Sequence, residues 1–150
     1  ETPDYSELFS EEKEMIKKLK KTFLMVAGGA VQKYGPQLED HQQLLIAAAD
    51  ILIEIYMAES AILRTEKNAK RFGEEAQSAQ IAMAKLYLYH AVDIVEEKGK
   101  ESIISFAEGD EQRMMLMGLK RFTKYANYPD IVDLRIEIAE KVKTENRYCF

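Results

Sequence analysis

The longest uninterrupted pattern in the chain runs from His41 to Phe72, HQQLLIAAADILIEIYMAESAILRTEKNAKRF, with no proline or glycine inside it. Its apolar residues recur at helical spacing. At steps of about 100° from Leu44, the residues Leu44, Ala48, Ile51, Ile55, Ala58 and Ile62 share one face. Ile46, Ile53 and Met57 fall on the opposite side, and Leu45, Leu52, Tyr56 and Leu63 fill one flank. Asp50 and Glu54 make a narrow acidic strip on the other flank. A helix apolar on nearly every side is expected in the interior of a bundle. Beyond Arg64 the pattern turns polar, so the last turns are expected in water, with Gly73 as the stop.

Four further segments carry the same period. The first is expected from about Ser10, a candidate cap, to Tyr34, where Gly35-Pro36 stops it. Gly28-Gly29 lies inside it and either kinks the helix or lets a neighbour come close. The long second helix is expected to start at Glu39-Asp40, with Asp40 as its cap. A third is expected from Glu74 to Lys98, ended by Gly99, followed by a short helix over Glu101 to Ala107. A fourth is expected from Asp110, as cap, to about Tyr125, with Met114, Met115, Leu116, Leu119 and Phe122 inward. After the Tyr128-Pro129-Asp130 turn, Ile131, Leu134, Ile136, Ile138 and Val142 line a last helix, and the tail is expected to be irregular. No period-2 alternation, repeat or linker appears. The expectation is one all-α domain over 1–150, an up-down bundle of about five helices with one long central helix.

Composition agrees with this reading. With 150 residues, the chain can bury a core of its own. Its 3 prolines and 7 glycines leave room for long helices. A net charge of −5 excludes general nucleic-acid binding, which needs cations to displace counterions from phosphate. The single cysteine, Cys149, excludes an intrachain disulfide and suits a reducing, cytoplasmic setting. The chain begins at Glu1 rather than Met, as expected of a processed protein or a piece of a longer one. Met15 to Ala30 imitates a secretory signal, but acidic residues precede its lysines and its apolar run falls far short of the ~20 residues that span a bilayer.

Candidate chemistry is sparse. The two histidines, His41 and His90, have Leu38 and Tyr87 three positions before them, so the Glu-x-x-His pairs of di-metal bundles are absent and no metal site is expected. His90 reads as a hydrogen-bonded core histidine and His41 as a surface residue near a helix start. Ser60 and Ser78 lie in helical pattern without a nucleophile elbow. Asp50 and Glu54, four apart, read as a strip ion-paired to a neighbouring Lys or Arg; acid–base work would require a pocket that they line. Gly28-Gly29 lacks the spacing and preceding strand of a phosphate cradle. Met114, Met115 and Met117 read as core filling, with an adaptable groove as the alternative. Tyr56, Tyr87 and Tyr89 read as core or interface residues. Lys17, Lys18, Lys20 and Lys21 read as a solvated face, with an anionic membrane surface as the alternative. No catalytic, cofactor-binding or metal-binding residue is assigned.

HQQLLIAAADILIEIYMAESAILRTEK, with the glycine-terminated polar end and Ala-rich helix that follow, resembles the extra C-terminal helical domain of large acyl-CoA dehydrogenases, the very-long-chain type above all. LKKTFLMVAGGAVQKYG resembles the segment leading into that domain. The resemblance covers about Leu19 to the end. It implies a parent enzyme that oxidises fatty acyl-CoA at its α,β bond, with FAD as cofactor and a flavoprotein as electron acceptor. It also implies that flavin site, acyl-CoA pocket and catalytic glutamate lie in domains upstream, so no functional residue is carried onto this chain. It implies a packing role against those upstream domains, a parent homodimer and, in some relatives, membrane contact. The alternative is an independent helical interaction module, which predicts no large unpartnered apolar face.

Overall fold

The structure, a computed structural model, describes residues 7–147. Five α-helices follow one another: α1 Ser10–Tyr34, α2 Gln42–Phe72, α3 Ser78–Phe106, α4 Gly109–Phe122 and α5 Ile131–Glu145. Short 3-10 turns, Gly35–Asp40 and Glu75–Gln77, join the first three. The described residues contain no strand. Along α1 and α2 the ion pairs Lys13–Glu66 and Lys20–Glu59 run in opposite senses, so these helices are antiparallel. The hydrogen bond from Tyr87 to Glu54 ties α3 beside α2. The bundle's long central helix is α3, which touches every other helix; α5 packs on α3 alone.

The helix ends differ from the sequence expectations in instructive ways. Ser10 is the first helical residue rather than the cap; Phe9 stands before it with φ 63° and no side-chain cap. The Phe9 ring is buried in the core, and that burial sets the left-handed turn. Asp40 does not cap α2 either. His41 occupies the cap position without a side-chain bond, its ring stacked on Tyr34 at 3.6 Å. At the start of α4, Asp110 lies inside the first turn and pairs with Arg113 at 3.5 Å, while Glu108 precedes the helix. Asp130 does cap α5, accepting from the amides of Val132 and Asp133 at 3.0 and 3.1 Å.

Gly99 does not end α3, which continues unbroken to Phe106. A Cβ at Gly99 would lie 2.9 Å from Cδ1 of Leu119, so the glycine serves close approach of α4. The glycine pair of α1 divides in the same way. A Cβ on Gly29 would lie 2.7 Å from the Phe106 ring and 2.9 Å from Cε of Met115, whereas Gly28 faces open space.

The core joins Met15, Leu19 and Val26 of α1 to Ile51, Ile55 and Ile62 of α2 and to Leu88, Val95 and Ile103 of α3. Burying each such side chain contributes about 1.5–3 kcal/mol. Thr22, Ser102 and Thr123 enter this core by bonding the carbonyl four residues back. The outer helices depart from expectation. Met114 is exposed on α4, and Ile136 and Val142 are exposed on α5, where no residue is fully buried.

The largest departure concerns α2. Its inner arc from Leu44 to Ala69 is buried, but the rest is not sealed by this chain. The exposed positions between Leu44 and Leu63 are Leu45, Ile46, Ala49, Leu52, Ile53, Tyr56, Met57, Ser60 and Leu63, and none is charged. Instead of lying in the middle of the bundle, α2 lies at its edge. Of the other α-helices only α1 and α3 pack on α2, so its second apolar face stays open.

Candidate functional site

Two places concentrate chemistry or unsatisfied surface: the acidic strip between α2 and α3, and the open face of α2. In the strip, Oε2 of Glu54 accepts a hydrogen bond from the Tyr87 hydroxyl at 2.9 Å. Burial, and then the Glu54 carboxylate, push the Tyr87 pKa up to about 12. The expected Lys or Arg partner of Glu54 is therefore a tyrosine hydroxyl. Asp50 has no ion pair among the described residues; its charge helps hold the Lys98 ammonium protonated, behind the larger contribution of Glu101 at 3.1 Å.

A groove of about 600 Å³ lies between α2 and α3. It is lined by Arg64, Thr65, Asn68, Gln77 and Gln80, and ends at Tyr87. Neither Asp50 nor Glu54 lines it, so the strip has no substrate space of its own there. What the strip does is tie α2 to α3 through one charge-assisted bond.

The remaining candidates are dispersed. His90 is exposed rather than in the core, its Nε2 3.4 Å from a guanidinium nitrogen of Arg135. It sits on the rim of α3 because the core side of that helix is taken by Leu88, Ala91 and Val92. Ser60 is exposed on the open face of α2, and Ser78 is the exposed first residue of α3. Cys149 lies outside the described residues. Among the described residues no group of three His, Cys, Asp or Glu could hold a metal ion. Met115 is half-buried against Gly29, while Met114 and Met117 are exposed. Lys20 pairs with Glu59, Lys17 with Glu14, and Lys18 donates to the Lys124 carbonyl at 3.2 Å. Of the lysine cluster, Lys18 and Lys20 thus bind α1 to its neighbours, while Lys17 pairs within α1. No described helix is long and apolar enough to cross a membrane.

The residues present do not fit a flavin. A pyrophosphate needs converging amide and cationic donors. Gly28 and Gly29 lie mid-helix, with their amides in the α1 ladder, and the α2–α3 groove offers Arg64 as its cation.

The open face is the feature that the reading of the residues did not locate. It covers α2 from Leu45 to Leu63 and continues onto α1 through Leu24 and Val31. Leu24, Leu52 and Tyr56 line a shallow groove of about 330 Å³ between the two helices. The signal was in the sequence: apolar residues on opposite sides of one helix. The geometry to say which side stays open was not.

A family model described as "Acyl-CoA dehydrogenase, C-terminal domain" matches residues 18–121. A probable acyl-CoA dehydrogenase of Bacillus subtilis (strain 168) is 38% identical over 119 residues, covering 79% of this chain and 20% of that protein. The crystal structure of an acyl-CoA dehydrogenase complexed with FAD from Bacillus anthracis superposes with a TM-score of 0.92 at 35% identity. That match covers 97% of this chain and 25% of the other. The chain therefore spans between a fifth and a quarter of the length of these two relatives.

Proposed function

Since this chain belongs to the acyl-CoA dehydrogenase C-terminal domain family, we propose that it is a single, non-catalytic packing domain of an FAD-dependent acyl-CoA dehydrogenase. The observation that carries this reading is the match of almost the whole chain to one quarter of an FAD-complexed acyl-CoA dehydrogenase. In the proposed parent, the flavin and the acyl-CoA bind upstream domains, where the α,β bond of a fatty acyl-CoA is oxidised. No residue of this chain touches the reacting atoms. The parent is a cytoplasmic homodimer of the very-long-chain type. The chain's role is mechanical: it covers apolar surface and holds the catalytic body in shape. An open apolar face marks a contact surface under either reading; the match of 97% of this chain to 25% of a longer enzyme favours the packing domain.

The test is direct. The 150-residue chain purified alone should be colourless and should not reduce a dye with any acyl-CoA. The same chain joined to its upstream region should bind FAD and do so. A stoichiometric flavin on the isolated chain would overturn the reading.

A further inference from the structure

The open face of α2 has a definite chemistry. Between Leu45 and Met57 it presents Leu45, Ile46, Leu52, Ile53, Tyr56 and Met57 to solvent, with Ile53 56% and Tyr56 68% exposed. On α1, Leu24 is 67% exposed and shares a groove wall with Leu52 and Tyr56. Contiguous apolar area of this kind marks a contact surface, whereas scattered exposed apolar residues do not. The exposed side of α5 shows the contrast. There Val132 and Ile136 are interleaved with Asp133, Arg135, Glu137, Glu140 and Lys143, the ordinary dress of a solvated helix.

Gly28 adds an independent sign. It lies between Leu24 and Val31 on the same exposed stripe of α1, and a Cβ there would meet nothing within 4 Å. A mid-helix glycine is unfavourable, and Gly29 beside it is explained by the Phe106 ring. Nothing among the described residues explains Gly28. Close approach by a second backbone would.

We infer that the outer face of α2, extended by Leu24, Gly28 and Val31 of α1, is the surface that docks the upstream part of the same polypeptide. The inference rests on the functional reading above and names the face that reading leaves open. The occupant is chosen by chain length: the matched parts are only 20% and 25% of the two relatives, so most of each lies outside them. It is also chosen by the scarcity of charge: the exposed positions of α2 from Leu45 to Leu63 carry none, and the charges at the groove, Lys20 and Glu59, neutralise each other, which suits permanent burial within one protein. At the end of this face Lys17 pairs with Glu14 and Lys20 with Glu59, so the charges there are matched within the domain and the docking surface should be apolar.

The experiment uses the whole flavoenzyme carrying Cys149→Ser and one new cysteine at a time: Ile53→Cys, Tyr56→Cys or, as control, Ile136→Cys on α5. All three positions are exposed in the chain itself, so folding is spared. Maleimide labelling is followed peptide by peptide, relative to enzyme in urea. The expected result is labelling at 53 and 56 at least tenfold slower than at 136. Equal rates would overturn the inference. A photo-crosslinker at Ile53→Cys, in enzyme mixed from ¹⁴N and ¹⁵N preparations, should join only chains of like isotope, at upstream peptides. Light–heavy products would replace the proposed occupant with a second copy. Protection that arises only with phosphatidylcholine–phosphatidylglycerol vesicles would replace it with lipid. Enzyme with full flavin and activity but free labelling at 53 and 56 sinks the docking face alone. Whole polypeptide without flavin sinks the functional reading.

Discussion

On the inner face of α2, Ile51, Ile55 and Ile62 are sealed against α1 and α3; on the outer face, Ile46, Ile53 and Met57 stand in water. The two faces have nearly the same composition and lie on one helix of 31 residues. The difference between them is one of partners. A sequence records how much apolar surface a helix carries, but the number of helices available decides how much of it can be covered. The open face thus says something the closed one cannot: the described helices leave apolar surface uncovered.

The comparison can be broken first by cutting the same amount from each face. Ile51→Ala should cost about 2–5 kcal/mol of the isolated chain's stability, since the cavity stays empty. Ile53→Ala should change it by no more than about 0.5 kcal/mol. Urea titration of the two variants measures both, and similar losses would mean the outer face is covered after all.

The glycine pair of α1 repeats the contrast with opposite signs. Gly29→Ala pushes a methyl into the Phe106 ring and should cost about 1–3 kcal/mol. Gly28→Ala should instead stabilise the isolated chain by up to about 1 kcal/mol, because only the entropy of the unfolded chain changes. Thermal unfolding would show melting temperatures moving apart. Two shifts of the same sign would contradict the assignment of inner and outer faces.

Glu54 and Tyr87 lie where α2 turns from closed to open. Tyr87→Phe leaves the half-buried carboxylate without its donor and should cost about 1 kcal/mol. In the parent chain, Tyr87 should be among the last tyrosines to ionise in an ultraviolet pH titration, because its pKa is raised to about 12. A folded pKa above the unfolded value of 10.0 means that this stabilisation is whole below pH 10 and is lost as pH rises through 12.

The smallest effect is expected at the polar end of α2. Glu66 accepts from Lys13 and Lys70, and these bonds lower its pKa below the ordinary 4.5. A lowered folded pKa contributes stability above pH 4.5, and that contribution is lost as pH falls through the folded value. Glu66→Gln should therefore flatten the acid limb of the stability profile and lower the neutral plateau slightly, because the carboxylate's contribution is lost above pH 4.5. An unchanged acid limb would show that the two ammonium groups do not hold this carboxylate in solution.

Much of the fold was legible in the residues because helices declare themselves locally. The five apolar periods, the Gly35 and Gly73 stops and the Tyr128-Pro129-Asp130 turn all depend on neighbours within one or two turns. The misreadings share one cause. Gly99 looks like a stop until Leu119 is seen against it, and Ser10 looks like a cap until the burial of Phe9 is seen to set the turn. His90 looks interior because its neighbours are apolar, yet a rotation of one position places it on the rim beside Arg135. Each depends on a contact between residues distant in sequence.

By itself, then, the sequence determined an all-α chain with five helical periods, an acidic balance hostile to nucleic acid, and a poverty of catalytic groups. These follow from propensity, period and charge, which act within a few residues. Tertiary structure alone decided that α3 and not α2 is the centre, that Glu54 meets a hydroxyl, and that one apolar face of α2 is left over. Those outcomes turn on which surfaces compete for the same neighbours, and that competition is settled only when all the helices are packed at once.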